Sequence, residues 1–248
     1  MIAEQEIVGR GAVEGARLMR EWFARLDAAA ERKEAAAYVF VMGSLAEILR
    51  AFDMHLVFPE INSLQTAVRH VAHEYLGMAE DYGYSPDICG YVKADVAMQL
   101  QGGKHSMGRL PKPALALATN ACNTYVKWAE FWERYYKIPM VTLDIPGSPT
   151  AAGGAAPGTD AFESDRRYLE IQLRELIAEC ERITGTRLDM DRLREVLDYT
   201  NRMAAAEPVS LLGGRLRLGG EVSGPIAPED LGWFNYSDYE VSTLRLFR

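Results

Sequence analysis

Cysteine is scarce in this chain. Its 248 residues hold three, Cys89, Cys122 and Cys180, too few to staple a fold of this length, so a disulfide framework is excluded and reduced thiols are expected. No run of about 18 apolar residues occurs, and no membrane-spanning helix is expected. The opening residues, Met1-Ile-Ala-Glu-Gln-Glu-Ile-Val, lack the basic start and apolar core of a secretion signal. These absences point to the cytoplasm. Basic charge is also in deficit, with 27 Lys and Arg against 35 Asp and Glu for a net −8. That balance argues against non-specific nucleic-acid binding, which needs a basic surface.

Several motifs are missing as well. The chain has no Gly-x-Gly-x-x-Gly after a strand, no Gly-Lys-Ser/Thr phosphate loop and no Gly-x-Ser-x-Gly elbow, which weakens nucleotide-binding and α/β-hydrolase readings. Gly102-Gly-Lys-His-Ser106 superficially suggests a phosphate loop, but it joins a helix to a strand, the reverse of the required order. It reads as a solvent-exposed connection. His70 and His73 precede Glu74, giving His-x-x-His-Glu rather than the zinc-protease order His-Glu-x-x-His. They read as one exposed or half-buried helix face.

What is present is ordinary globular composition, 48% hydrophobic and 25% charged, arranged as alternating strands and helices. Residues 12–35 recur apolar at helical spacing through Leu18, Trp22, Phe23 and Leu26. Apolar, partly β-branched runs at 37–42, 54–58, 113–118 and 138–143 read as buried strands. Between them the spacing predicts helices from Ser44 to Phe52, from Asn62 or Ser63 to Tyr82, from Ser85-Pro86-Asp87 to Leu100, and from Cys122 to Tyr136. Such alternation predicts a mainly parallel sheet with flanking helices, Rossmann-like, in an α/β fold. A Gly-, Ala- and Pro-rich loop leads into two helices, 160–184 and 189–206, the second capped by Asp189. The expected organisation is an N-terminal α/β domain at 1–145, a linker and helical region at 146–206, and a divergent tail at 207–248. The tail lacks helical periodicity and is expected to pack poorly.

Two cysteines share a setting. Cys89 and Cys122 each stand at a loop-to-helix junction, where the positive end of the helix dipole favours thiolate, the form that binds soft metals. They are candidate ligands of one inorganic centre; equally, isolated cysteines commonly serve as small buried apolar groups. Cys180 sits mid-helix between Glu179 and Glu181, carboxylates that oppose a thiolate, and reads as structural. Glu60 follows Pro59 at the end of the second strand, where ligands gather in parallel sheets. It is either a site-facing acid or a carboxylate favoured by the start of its helix. Trp128, Trp132, Tyr135 and Tyr136 recur at helical spacing and read as packing.

Motifs in order carry a family resemblance: Phe52-Asp-Met54, Pro59-Glu60, Asp87-Ile-Cys89-Gly-Tyr-Val-Lys-Ala-Asp95, Asn120-Ala-Cys122, Lys127-Trp128, Tyr136-Lys-Ile-Pro139, Asp144-Ile-Pro146, Ile183-Thr-Gly185 and Leu188-Asp-Met-Asp-Arg-Leu-Arg-Glu195. Over residues 35–205 the chain resembles the family of benzoyl-CoA reductase and 2-hydroxyacyl-CoA dehydratase subunits. The Cys-Xaa-Tyr-Val-Lys-Ala-Asp form looks closer to the reductase side. The resemblance implies a [4Fe-4S] cluster held by three cysteines beside an acyl-CoA thioester, with Cys89 and Cys122 matching the first two ligands and Glu60 an acid near the substrate. It also implies a homologous second subunit and a separate ATP-hydrolysing iron–sulfur activator that delivers electrons singly, the substrate accepting them as a ketyl-type radical.

The chain departs from the family pattern in one respect. The family's second α/β domain supplies the third cysteine, and no cysteine follows Cys180 here; that domain is expected to be missing. The expected function is therefore a subunit, or truncated subunit, of an ATP-dependent aromatic acyl-CoA reductase, inactive alone. A 2-hydroxyacyl-CoA dehydratase subunit and a cluster-free, non-catalytic assembly partner are the alternatives.

Overall fold

The computed structural model describes residues 10–41, 45–146, 158–205, 211–212 and 215–216. In chain order these form α1 (Arg10–Arg32), β1 (Ala36–Val39), α2 (Ala46–Ala51), β2 (His55–Val57), α3 (Pro59–Val68), α4 (Ala72–Tyr82) and α5 (Gly90–Leu100). Then come β3 (Lys104–His105), β4 (Gly108–Arg109), β5 (Pro113–Thr119), α6 (Asn123–Tyr136), β6 (Met140–Leu143), α7 (Asp160–Thr184) and α8 (Met190–Ala205). Short strands at Leu211–Leu212 and Arg215–Leu216 pair antiparallel. The expected packing of the rest of the tail lies outside the described residues.

The four apolar runs form one parallel sheet in the order β2-β1-β5-β6. Every residue of β1 is buried, as are six of the seven in β5 (all but Ala114). Strands covered on both faces read as continuous apolar runs rather than as alternation, which is why the sequence showed them so clearly. Between β1 and β5 the chain passes through α2, adds β2 to the far side of β1, and then runs through three helices and the β3–β4 pair before returning to β1. Strand carboxyl ends and helix N-termini therefore gather along one edge of the sheet. The α/β expectation holds.

Packing under α6 is dominated by rings. Phe40, just past β1, stacks on Tyr125 with centroids 3.9 Å apart and planes within 8°. It also lies 5.2 Å from each of Trp128 and Trp132. Of the four aromatic residues expected to be packing, Trp128 and Trp132 are buried and Tyr136 is half-buried, but Tyr135 is exposed.

The chain divides into two compact units, residues 26–193 and residues 1–25 with 194–248. The first contains the sheet and every candidate site residue. In the second, Trp22 and Phe23 are buried with their rings edge to face at 4.8 Å.

Three local readings need correction. The helix expected from Asn62 or Ser63 to Tyr82 is broken into α3 and α4. His70 takes φ 59°, Val71 N–H donates to Thr66 O at 2.9 Å and His70 N–H to Ala67 O at 2.9 Å, the paired bonds of a Schellman stop. With no glycine at the left-handed position, nothing local signalled the stop. His70 and His73 thus belong to a turn and a separate helix, although both are exposed.

The glycine-rich connection is a hairpin, β3 with β4, rather than an exposed loop throughout. Gly103 has φ +80°, and a Cβ there would meet Leu110 O at 2.6 Å. Only glycine fits that approach. His105 is buried, accepting from Met107 N–H at Nδ1 and bonding Asn62 O through Nε2 at 3.1 Å. Burial lowers its pKa to about 4. Finally, α2 begins at Ala46 after Leu45, while the expected cap, Ser44, lies outside the described residues.

Candidate functional site

Glu60 stands in the first turn of α3, behind Pro59, whose ring suits the first helical position. Its side chain turns under the end of β1. Oε2 accepts from Val41 N–H at 2.5 Å and Oε1 from the Tyr125 hydroxyl at 2.5 Å. The residue is 8% exposed. Burial raises its carboxyl above the ordinary range, and the two hydrogen bonds draw it partly back. A carboxyl so placed holds its proton to higher pH than a surface glutamate, as a general acid must.

Cys122 follows β5 and occupies the N-cap of α6, half-buried; Cys89 occupies the N-cap of α5 and is exposed. Neither side chain hydrogen-bonds its own first turn. The junction before Cys89 is held by Lys93, a buried residue whose Nζ donates to Glu80 Oε1 at 2.6 Å and Pro86 O at 2.9 Å. Ser63 Oγ donates to Tyr91 O at 2.9 Å, tying α3 to the first turn of α5. The junction before Cys122 is held by Asn120, whose Nδ2 donates to Asp144 Oδ1 at 2.5 Å and Ile145 O at 3.0 Å. Asn120 Oδ1 accepts from Ile145 N–H at 3.0 Å. The Asn120 and Asp144 motifs therefore meet across the ends of β5 and β6.

Hydrogen bonds between α5 and α6 fix their relative direction. Asp95 Oδ2 accepts from both Trp128 Nε1 and Trp132 Nε1 at 2.7 Å. One turn further along each helix, Gln99 Oε1 accepts from the Tyr136 hydroxyl at 2.7 Å. Stepping four residues along one helix steps four along the other, so the two run the same way. Their N-caps, Cys89 and Cys122, lie at one end, the end reached by the carboxyl termini of β1, β2 and β5. Glu60 shares that end through Val41 and through Tyr125 in the first turn of α6. Sequence reasoning missed both Tyr125 and Asp95. Tyr125 carries no motif, and Asp95 stands within a motif that gives it no role.

A three-cysteine cluster site is only partly furnished. Among the described residues no group of three His, Cys, Asp or Glu could hold a metal ion. Cys180 does not complete one. It is buried in α7, and burial, reinforced by Glu179, pushes its thiol up to about 12. The donor chemistry fits two thiolate ligands of an iron–sulfur cluster.

The profile of the family described as 2-hydroxyglutaryl-CoA dehydratase, D-component, matches residues 42–207. The chain belongs to this family. Among its relatives, a benzoyl-CoA reductase subunit from Thauera aromatica is 36% identical over 187 residues, covering 74% of this chain and 40% of that protein. The alpha subunit of (R)-phenyllactyl-CoA dehydratase from Clostridium sporogenes is 29% identical over 161 residues, 64% of this chain and 37% of that protein. The alpha subunit of (R)-2-hydroxyisocaproyl-CoA dehydratase from Clostridioides difficile is 26% identical, 61% of this chain and 35% of that protein. The chain thus spans well under half the length of these family members. The family match bears out the resemblance seen in the motifs and ends where the change of texture was noted, near Glu207.

Proposed function

We propose that this chain is a subunit, or part of a subunit, of an ATP-dependent iron–sulfur reductase of benzoyl-CoA or a related aromatic acyl-CoA. The observation that carries the reading is the placement of two thiols and a buried acid at one end of the sheet, in a chain 36% identical to a benzoyl-CoA reductase subunit.

Cys89 and Cys122 would hold two corners of a [4Fe-4S] cluster, the third cysteine coming from outside these 248 residues, since Cys180 does not complete the set. When bound, the cluster supplies single electrons to the thioester. The chain's own residues set the stage for that transfer. The Lys93 and Asn120 contacts hold the two junctions, and Asp95 keeps the cysteine-bearing helices in register. Glu60, with its raised pKa, holds a proton for the substrate side, and Tyr125 orients it. A homologous second subunit and an ATP-hydrolysing iron–sulfur activator are the partners this reading requires; the site belongs to a cytoplasmic, oxygen-free setting.

A dehydratase subunit is the second reading, favoured by the family description and by the dehydratase alpha subunits among the relatives. Anaerobic turnover separates the two. With the second subunit, activator, ATP and reductant, the chain is expected to support loss of benzoyl-CoA and not of an (R)-2-hydroxyacyl-CoA, and to do neither alone. Dehydration of the hydroxyacyl thioester would establish the second reading. Steady turnover by the isolated chain would overturn both and point to another cofactor.

A further inference from the structure

A groove of about 410 Å³ opens between the end of α4 and the outer face of α6, away from Glu60. One wall is Tyr82 and Tyr84, whose rings lie 6.4 Å apart with planes within 19°. The other carries Phe131 and Tyr135, 5.3 Å apart and within 14°. Tyr82 is 59% exposed and Tyr135 43%, while Tyr84 and Phe131 are half-buried, so one ring of each wall stands in water rather than in the core. Large rings left in water at both walls of one groove form a stacking surface for a planar ligand.

The same groove is cationic. Lys127 and Arg134 lie on one stripe of α6 and share a single carboxylate, Glu130, at 2.8 and 3.5 Å. The α6 wall therefore keeps a surplus positive charge on a chain of net −8. Both head groups are well exposed and can reach an anion without desolvation. Planar stacking beside two cations selects an aromatic base that carries phosphate. The sequence has no motif for holding a nucleoside triphosphate.

We propose that this groove binds the adenosine 3′-phosphate end of an acyl-CoA. The proposal rests on the acyl-CoA reading above and adds a binding site to it. Position supports it. Cys122 caps α6, so Lys127 and Arg134 stand about 8 and 18 Å along the helix from that thiol. Tyr84 lies just before the Cys89 junction. An extended pantetheine arm leaving the groove would run along α6 toward the end that carries Glu60 and the two thiols, while the nucleotide stays at the surface.

Calorimetric titration of the full chain with CoA, 3′-dephospho-CoA, adenosine 3′,5′-bisphosphate and pantetheine tests this directly. The chain is compared with Lys127→Glu/Arg134→Glu and Tyr82→Ala/Tyr135→Ala, surface changes that leave the core intact. CoA and the bisphosphate should bind, pantetheine should not, and each double variant should weaken CoA by about tenfold or more. Removing the 3′-phosphate should weaken binding to the parent chain and not to the charge variant. CoA binding equal in all three proteins would overturn the groove while leaving the acyl-CoA reading intact. Groove-dependent binding of the bisphosphate, with no acyl-CoA turned over by the complete complex, would do the reverse. No binding of CoA or the bisphosphate overturns the groove.

Discussion

Replacing Asp95 by asparagine should remove a pH dependence of stability from the protein. Asp95 is fully buried in α5, and three donors hold it: Trp128 Nε1 and Trp132 Nε1 on Oδ2, and Gln99 Nε2 on Oδ1, each at 2.7 Å. No cation pairs with it in that set. Burial pushes its carboxyl up to about 6 from an ordinary 3.8, and the three hydrogen bonds only partly restrain the rise. The folded state therefore holds the proton more tightly than the unfolded chain does. Its contribution is fully present below about pH 3.8 and is lost as pH rises through about 6, a total of roughly 3 kcal/mol.

Between about pH 4.5 and 7.5 the loss amounts to roughly 2 kcal/mol. Asparagine cannot ionise, and its oxygen can still accept from both indoles. Its new amide N–H₂ would face Gln99 Nε2, so Gln99 must turn over. The hydroxyls of Tyr38 and Tyr136, which now donate to Gln99 Oε1, can accept from the turned amide instead. Urea unfolding of both proteins at several pH values reads the effect. The gap between the Asp95→Asn protein and its parent should shift in favour of the variant by roughly 2 kcal/mol across that window. Parallel stability curves would refute the assignment of a raised Asp95.

Tyr125→Phe keeps the ring stacked on Phe40 but removes the hydroxyl that restrains Glu60; a carbon-13 carboxyl titration should show the Glu60 pKa moving further up, and an unmoved value would contradict the contact. In native protein iodoacetamide should label exposed Cys89 and spare Cys180, whose thiol is held near 12, with mass spectrometry locating the adducts. Asp189→Ala removes the acceptor for Asp191 N–H and Arg192 N–H at 2.8 and 3.0 Å and should cost about 1 kcal/mol by chemical denaturation.

The parts of the fold that the sequence revealed are those with local causes. Strands buried on both faces announce themselves as apolar runs, and Asp189 capped α8 as its residue type predicts. Cys122 was recognisable at a helix start because the end of an apolar strand precedes it, whereas the helix expected to open at Ser85-Pro86-Asp87 begins only at Gly90, after a turn through Pro86 and Asp87, with Cys89 as its N-cap. What stayed hidden depends on partners distant in sequence. Asp95 looks like any polar helix residue until two indoles from α6 are brought onto it. His105 looks exposed beside its glycines until α3 supplies the Asn62 carbonyl. The α3–α4 stop at His70 is written in backbone bonds rather than in a glycine. Glu60 was picked out by its place after Pro59, but Tyr125, which holds it, lies 65 residues away.

The central claim is that Cys89 and Cys122 hold iron, and anaerobic iron and sulfide analysis with electron paramagnetic resonance tests it most directly. The chain is reconstituted with iron, sulfide and a small thiol to fill the open iron positions. The account predicts iron and sulfide bound in about equal amounts, as in a cubane cluster, with a paramagnetic signal on reduction. Both should vanish in Cys89→Ser and in Cys122→Ser and survive in Cys180→Ser. Iron bound equally by the Cys89→Ser/Cys122→Ser double variant, or none bound by the parent chain, would contradict it.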